Sequence, residues 1–223
     1  MSQGLFGILD FSGPIEEREA ESVAAFLGRD GVAGDVSLVR GSHYLFGMKR
    51  SSCDNSWRQR QIADNPELGA VCLMNGEIHN CDELLGELGE DAASCSGDLD
   101  LSLSLYRRYG RDFAKKLNGL FSLAVLDNRD SSFLLFSDRF GMARQTYWTT
   151  RGTKLYFATH LKTLLACPGI SRELDVEGLN LFLKYAYITS PWTIFKGMRK
   201  LPPGHLLTFR GGKAEEVPWW NFS

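Results

Sequence analysis

The chain has 223 residues, 43% of them hydrophobic, which is enough for one large domain with a sizeable core. Its 25 basic and 27 acidic residues are interspersed and leave a formal net charge of -2. There is no basic stripe to neutralise phosphates and no acidic tail, so neither nucleic acid nor a membrane surface is an expected partner. The N-terminus lacks the basic and apolar regions of a leader, and no apolar stretch approaches a membrane span, so a cytoplasmic location is expected.

Residues 4–10 read as a buried strand. Residues 15–27 follow as a helix with Val23, Phe26 and Leu27 on one face and Pro14 at or just before its first turn. Strands over 36–39 and 44–48 flank Arg40-Gly41-Ser42-His43, a hairpin connection. Residues 71–74 read as a short apolar strand stopped at Asn75-Gly76, a dipeptide suited to a tight turn. Asn80 or Asp82 is then placed to cap a helix through Leu88, and Asp98 to cap another whose Leu99, Leu103 and Tyr106 recur at helical spacing before Gly110.

The second half reads as hairpins and short helices. Residues 121–126 and 133–136 are joined by the polar run 127–132, and 147–149 pair with 155–158 around Arg151-Gly152. Residues 161–167 and 176–186 look helical, with Asp175 as a cap for the second. A last hairpin joins 206–209 to 214–217 around Gly211-Gly212. Hairpins interrupted by helices suit an α+β domain whose helices cover antiparallel sheets. Trp219 and Trp220 sit close to the chain end, where poor burial is expected unless they pack as a terminal strand.

The cysteines at 53, 72, 81, 95 and 167 are odd in number and form no Cys-x-x-Cys pair. This argues against both a disulfide framework and a zinc site, and most are expected to be small core or half-buried residues. The four histidines are dispersed and form no catalytic order with Cys or Asp.

Several strings occur in a fixed order: Gly4-Leu5-Phe6-Gly7-Ile8, Asn75-Gly76-Glu77-Ile78-His79-Asn80, Gly97-Asp98-Leu99-Asp100, Leu117-Asn118-Gly119-Leu120-Phe121, Asp138-Arg139-Phe140-Gly141 and Lys200-Leu201-Pro202-Pro203-Gly204-His205. Singly each is weak; together, in register along the chain, they carry weight. The chain resembles the class II, N-terminal-nucleophile amidotransferase domain of the asparagine synthetase family. That resemblance implies a single domain over 1–223, forming a four-layer αββα sandwich of two stacked antiparallel sheets covered by helices. It also implies that the domain is the N-terminal part of a longer synthetase, with a C-terminal ATP-dependent synthetase domain as partner. No cofactor is expected in this domain, and ATP and Mg belong to the downstream part. Glutamine is the implied ligand, and a homodimer stays open.

Residue by residue, the resemblance places Gln3 where the family carries its cysteine nucleophile. A primary amide does not serve as a nucleophile at neutral pH. Ser2 is the alternative, with its own α-amine after methionine removal, but it stands one residue out of register and so is displaced by about 3.3 Å to the opposite face of a strand. Asn75, through its side chain, and Gly76, through its backbone N–H, correspond to the oxyanion hole. Arg50 corresponds to the residue that grips the substrate α-carboxylate, and Asp98 to the carboxylate that receives its α-ammonium. Glu77 adds a polar contact. Departures from the family pattern are Ser51-Ser52 after Arg50, His79 in place of tyrosine, Ala143-Arg144-Gln145, and Thr159-His160. Three functions follow as expectations: the amidotransferase-like half of an ATP-dependent amide-forming ligase that has lost glutaminase activity; an active glutaminase using Ser2; or a non-catalytic glutamine-binding module.

Overall fold

The computed structural model describes residues 4–29, 35–49 and 62–221. In chain order the strands are β1 (Gly4–Leu9), β2 (Val36–Arg40), β3 (Tyr44–Lys49), β4 (Ile62–Asn65), β5 (Ala70–Ile78), β6 (Gly119–Asp127), β7 (Ser132–Ser137), β8 (Tyr147–Arg151), β9 (Lys154–Ala158), β10 (Arg199–Lys200), β11 (His205–Arg210) and β12 (Lys213–Pro218). The helices are α1 (Glu17–Arg29), α2 (Cys81–Leu88), α3 (Asp98–Tyr109), α4 (Leu161–Ala166) and α5 (Val176–Tyr185), with 3-10 turns at Gly89–Ser94 and Gly110–Lys116. The chain divides into two units, one taking in residues 1–52, 145–202 and 211–214 and the other the remainder.

The first unit is built on a six-stranded sheet ordered β10-β8-β9-β1-β3-β2. Strand alternation turns Phe6 and Ile8 of β1, Leu45 of β3 and Tyr156 and Ala158 of β9 to one face, where they pack with Val23 and Leu27 of α1 and Leu164 of α4. The face of α1 read from its apolar spacing is therefore the one that is buried. The helix begins at Glu17, three residues after Pro14. At the start of β1, Thr159 Oγ1 accepts the Leu5 N–H at 3.1 Å while the Thr159 N–H donates to the Leu5 carbonyl at 2.9 Å.

The second unit has a six-stranded sheet ordered β12-β11-β7-β6-β5-β4. Its longest pairing joins β5 to β6 antiparallel, from Ala70↔Asp127 to Ile78↔Gly119. Cys72, Met74 and Ile78 of β5 and Phe121, Leu123 and Val125 of β6 share one face and pack with Leu84 and Leu88 of α2 and Leu99, Leu103 and Leu105 of α3. Both units are antiparallel sheets with helices packed on a face, the α+β class.

The local reading fails at three places. Asn75-Gly76 is no turn: β5 runs through it, with Asn75 opposite Ser122 and Gly76 opposite Phe121, because pairing with β6 outweighs the dipeptide's turn preference. Asn80 precedes α2 without capping it by its side chain; its amide instead donates to Lys116 O at 3.0 Å and its Oδ1 accepts from Asn118 N at 2.9 Å. Asp98 is the first residue of α3 rather than its side-chain cap. At Trp219 the packed alternative holds: directly after β12 it stacks on Phe121 with centroids 6.5 Å apart, and its Nε1–H donates to Ser137 O at 3.0 Å. The structure also adds β4 and β10, whose short segments carry no alternation.

Candidate functional site

Asn75 lies on β5, on the face opposite Cys72, Met74 and Ile78, and is 6% exposed. Its side-chain Nδ2 is buried and, among the described residues, has no hydrogen-bond partner. An unsatisfied buried donor costs on the order of 1–3 kcal/mol, so a side chain kept in this state is suited to an acceptor supplied from outside. Gly76, next along the strand, has φ +127°, a value that favours glycine, and a Cβ there would lie 1.9 Å from the Leu120 carbonyl oxygen. The Asn75 amide and the Gly76 backbone are thus adjacent, fixed by the β5–β6 ladder rather than by a flexible turn. This is the arrangement in which an oxyanion or amide oxygen can be met by two donors.

Asp98 connects this strand to α3. Its Oδ2 accepts the Ile78 N–H at 3.0 Å, and its Oδ1 accepts from Cys81 Sγ at 3.3 Å. The carboxylate sits in the first turn of α3, where the helix dipole favours negative charge. Burial, together with the adjacent Asp98 carboxylate, pushes the Cys81 thiol up to about 12. Cys81 is therefore a protonated donor at neutral pH and not a nucleophile. Burial pushes the Cys167 thiol up to about 12 and raises that of Cys72 as well. Glu77 is exposed and pairs with His79 Nε2 at 3.3 Å, in a position where solvent screens the interaction.

Of the residues expected at the site, Asn75, Gly76 and Glu77 follow one another on β5, and Asp98 at the start of α3 is tied to the end of that strand through Ile78. Ser2, Gln3, Arg50, Ser51-Ser52 and Cys53 lie outside the described residues. Ser122, Ile78 and Cys81 were not legible as site neighbours: Ser122 is placed by the β5–β6 register, and the other two by an Asp98 carboxylate that crosses from helix to strand. In the first unit, a cavity of about 320 Å³ opens beside the first residues of β1, lined by Gly4, Phe6, Phe26, Lys49, His160 and Leu161 among others. A Cβ at Gly4 would lie 2.7 Å from His160 Nδ1, so the chain just after Gln3 is closely packed. Lys49 is buried and donates to Leu27 O. Among the described residues no group of three His, Cys, Asp or Glu side chains is placed to hold a metal ion, and no helix is long and apolar enough to cross a membrane.

An in-strand Asn-Gly donor pair on an antiparallel α+β scaffold indicates a class, and comparison with known families establishes it: the chain belongs to the family described as glutamine amidotransferase domain, which matches residues 2–220. It is 30% identical over 227 residues to asparagine synthetase (glutamine-hydrolyzing) 3 of Bacillus subtilis strain 168, covering 98% of this chain and 36% of that protein. It is 29% identical to asparagine synthetase (glutamine-hydrolyzing) 1 of the same organism, covering 75% of this chain and 27% of the relative. The chain therefore spans about a third of the length of these relatives. Among solved structures, the B. subtilis glutamine phosphoribosylpyrophosphate amidotransferase complexed with ADP and GMP shares the fold, with a TM-score of 0.62 at 14% identity over 97% of this chain and 49% of that one. The molecule is an asparagine synthetase-like glutamine amidotransferase domain with the fold of the N-terminal-nucleophile amidotransferases.

Proposed function

We propose that this domain has lost glutamine hydrolysis and serves as the amidotransferase-like half of an asparagine synthetase-like, ATP-dependent amide-forming ligase. The observation that carries the reading is the residue before Gly4: Gln3 stands at the nucleophile's position, and its amide has neither the acidity nor the nucleophilicity of a thiol. Cys81, within reach of Asp98, does not replace it, since burial and that carboxylate keep its proton on. Without attack on the glutamine amide, ammonia for the ligase comes from solution or the product is a different amide bond. ATP and Mg belong to the synthetase part, and the cytoplasm is its setting.

The Asn75 Nδ2, without a partner among the described residues, favours a second, compatible reading in which glutamine is still bound. Its side-chain carbonyl would take the Asn75 amide and the Gly76 N–H, Asp98 would receive the α-ammonium, and Arg50 would hold the α-carboxylate. Ammonia release from glutamine tests the loss of activity. The reading requires no release above a no-protein control, whereas release abolished by Ser2→Ala would establish a serine nucleophile instead. Calorimetry with glutamine then separates a binding module from an empty pocket.

A further inference from the structure

Helix α5 has the composition of a core helix and the exposure of a surface one. Of its ten residues only Gly178 is buried. Val176 is 71% exposed and Leu183 74%, both on the side opposite Gly178 at helical spacing, and Tyr187, past the left-handed Ala186 that ends the helix, is 59% exposed. Phe182 and Tyr185, toward the Gly178 side of the helix, and Trp192 beyond it are also exposed, and the only charges on the helix are Glu177 and Lys184. A helix apolar around most of its circumference belongs inside a protein. Large exposed apolar side chains concentrated on one short element mark an interaction site better than scattered surface residues do.

The helix is also firmly seated. Asp175 Oδ1 caps it by accepting the Gly178 N–H at 2.9 Å, and the Asp175 N–H donates to Ile194 O at 3.0 Å. A Cβ at Gly178 would lie 2.0 Å from the Thr193 carbonyl oxygen, so the helix rests on its one glycine, backbone against backbone. A short foot of this kind fixes the orientation while leaving the apolar side chains unburied. The near absence of charge suits a permanent interface, where composition approaches that of a core, better than a transient one.

We propose that the α5 face, with Tyr187 and Trp192, is the seat of the synthetase part of the same polypeptide, packing against an apolar surface there. Length points to the occupant: this chain corresponds to 36% of B. subtilis asparagine synthetase 3, whose larger part lies beyond the matched region. This rests on the ligase reading above and adds the surface through which the two parts meet.

The test labels a single introduced thiol. Leu183→Cys, or Val176→Cys should the first fail the far-UV circular dichroism check, is placed in the 223-residue chain and in the whole polypeptide its gene encodes. Modification at that position is followed by peptide mass. Labelling about tenfold or more slower in the whole polypeptide is expected, as for a side chain that reacts only on local opening. Equal rates, in a whole polypeptide that catalyses ATP–pyrophosphate exchange, overturn the inference and leave the ligase reading standing. A reading frame that ends at Ser223 overturns both. Sedimentation gives the remaining outcome: a dimer of the 223-residue chain that Leu183→Asp dissolves would assign the face to a second copy and overturn the inference.

Discussion

The Asp98 carboxylate and the Ile78 backbone N–H, 20 residues apart in sequence, meet at 3.0 Å and tie the first turn of α3 to the end of β5. Asp98 is buried and also receives Cys81 Sγ, so its two oxygens hold the strand that presents Asn75 and Gly76. A carboxylate retains acceptor capacity beyond these two contacts, so the side chain that braces the strand can accept further hydrogen bonds.

Asp98→Ala should therefore lower stability by about 1–3 kcal/mol, because it strands the buried Ile78 N–H. Urea unfolding measures this. Asp98→Asn, which keeps an acceptor for Ile78, should cost less. In both variants the Cys81 thiol should titrate at lower pH than in the parent, since one of the causes that raise it is removed. Unchanged stability and unchanged thiol titration would show that the link between α3 and β5 contributes nothing.

Asn75→Leu should separate stability from binding. Replacing a side chain whose buried Nδ2 lacks a partner among the described residues by an apolar one of similar size removes a desolvation penalty, so the thermal midpoint should stay level or rise. Glutamine binding, read by calorimetry, should be lost in the same variant. A fall in midpoint comparable to a core truncation would mean that Asn75 is satisfied in the resting protein.

Alkaline pH should destabilise the fold. Cys81 and Cys167 rise from an ordinary 9.0 to about 12, chiefly by burial, and Tyr106 rises from 10.0 to about 12, by burial and the Asp127 carboxylate. Each folded-state value lies above the unfolded one, so the stability these groups confer is fully present below about pH 9 and is lost as the pH climbs toward 12. Urea midpoints should hold steady near about pH 8 and fall by about pH 11, and Cys81→Ser should make the fall shallower. A midpoint that rises over this range would contradict the assignment.

The hairpins and most of the helices were legible because their signals are local. Gly211-Gly212 and Arg151-Gly152 mark turns, Asp175 caps α5 as read, and Gly110 follows α3. Asn75-Gly76 was not, because the same dipeptide that suits a turn is held extended by nine paired positions with β6, a tertiary term invisible to a local reading. Residues 62–65, Ile-Ala-Asp-Asn, lack alternation and become β4 only through pairing with β5. The exposure of α5 was equally hidden, since its apolar pattern alone reads as a buried helix. The resemblance named Asn75, Gly76 and Asp98, while the Asp98 contacts to Ile78 and Cys81 needed the crossing of α3 and β5.

The central claim is that a glutamine site is kept and only its nucleophile is missing. The most direct measurement is glutaminase activity of a variant lacking Ser2 and carrying Gln3→Cys, which after methionine removal begins with a cysteine and its free α-amine in the family register. On the roles proposed for Asn75, Gly76 and Asp98, ammonia release should appear in the variant and be absent from the parent, because positioning and oxyanion stabilisation would need only the nucleophile. A folded, correctly processed variant that releases no ammonia would contradict the account and show that the site itself, not only its nucleophile, has been lost.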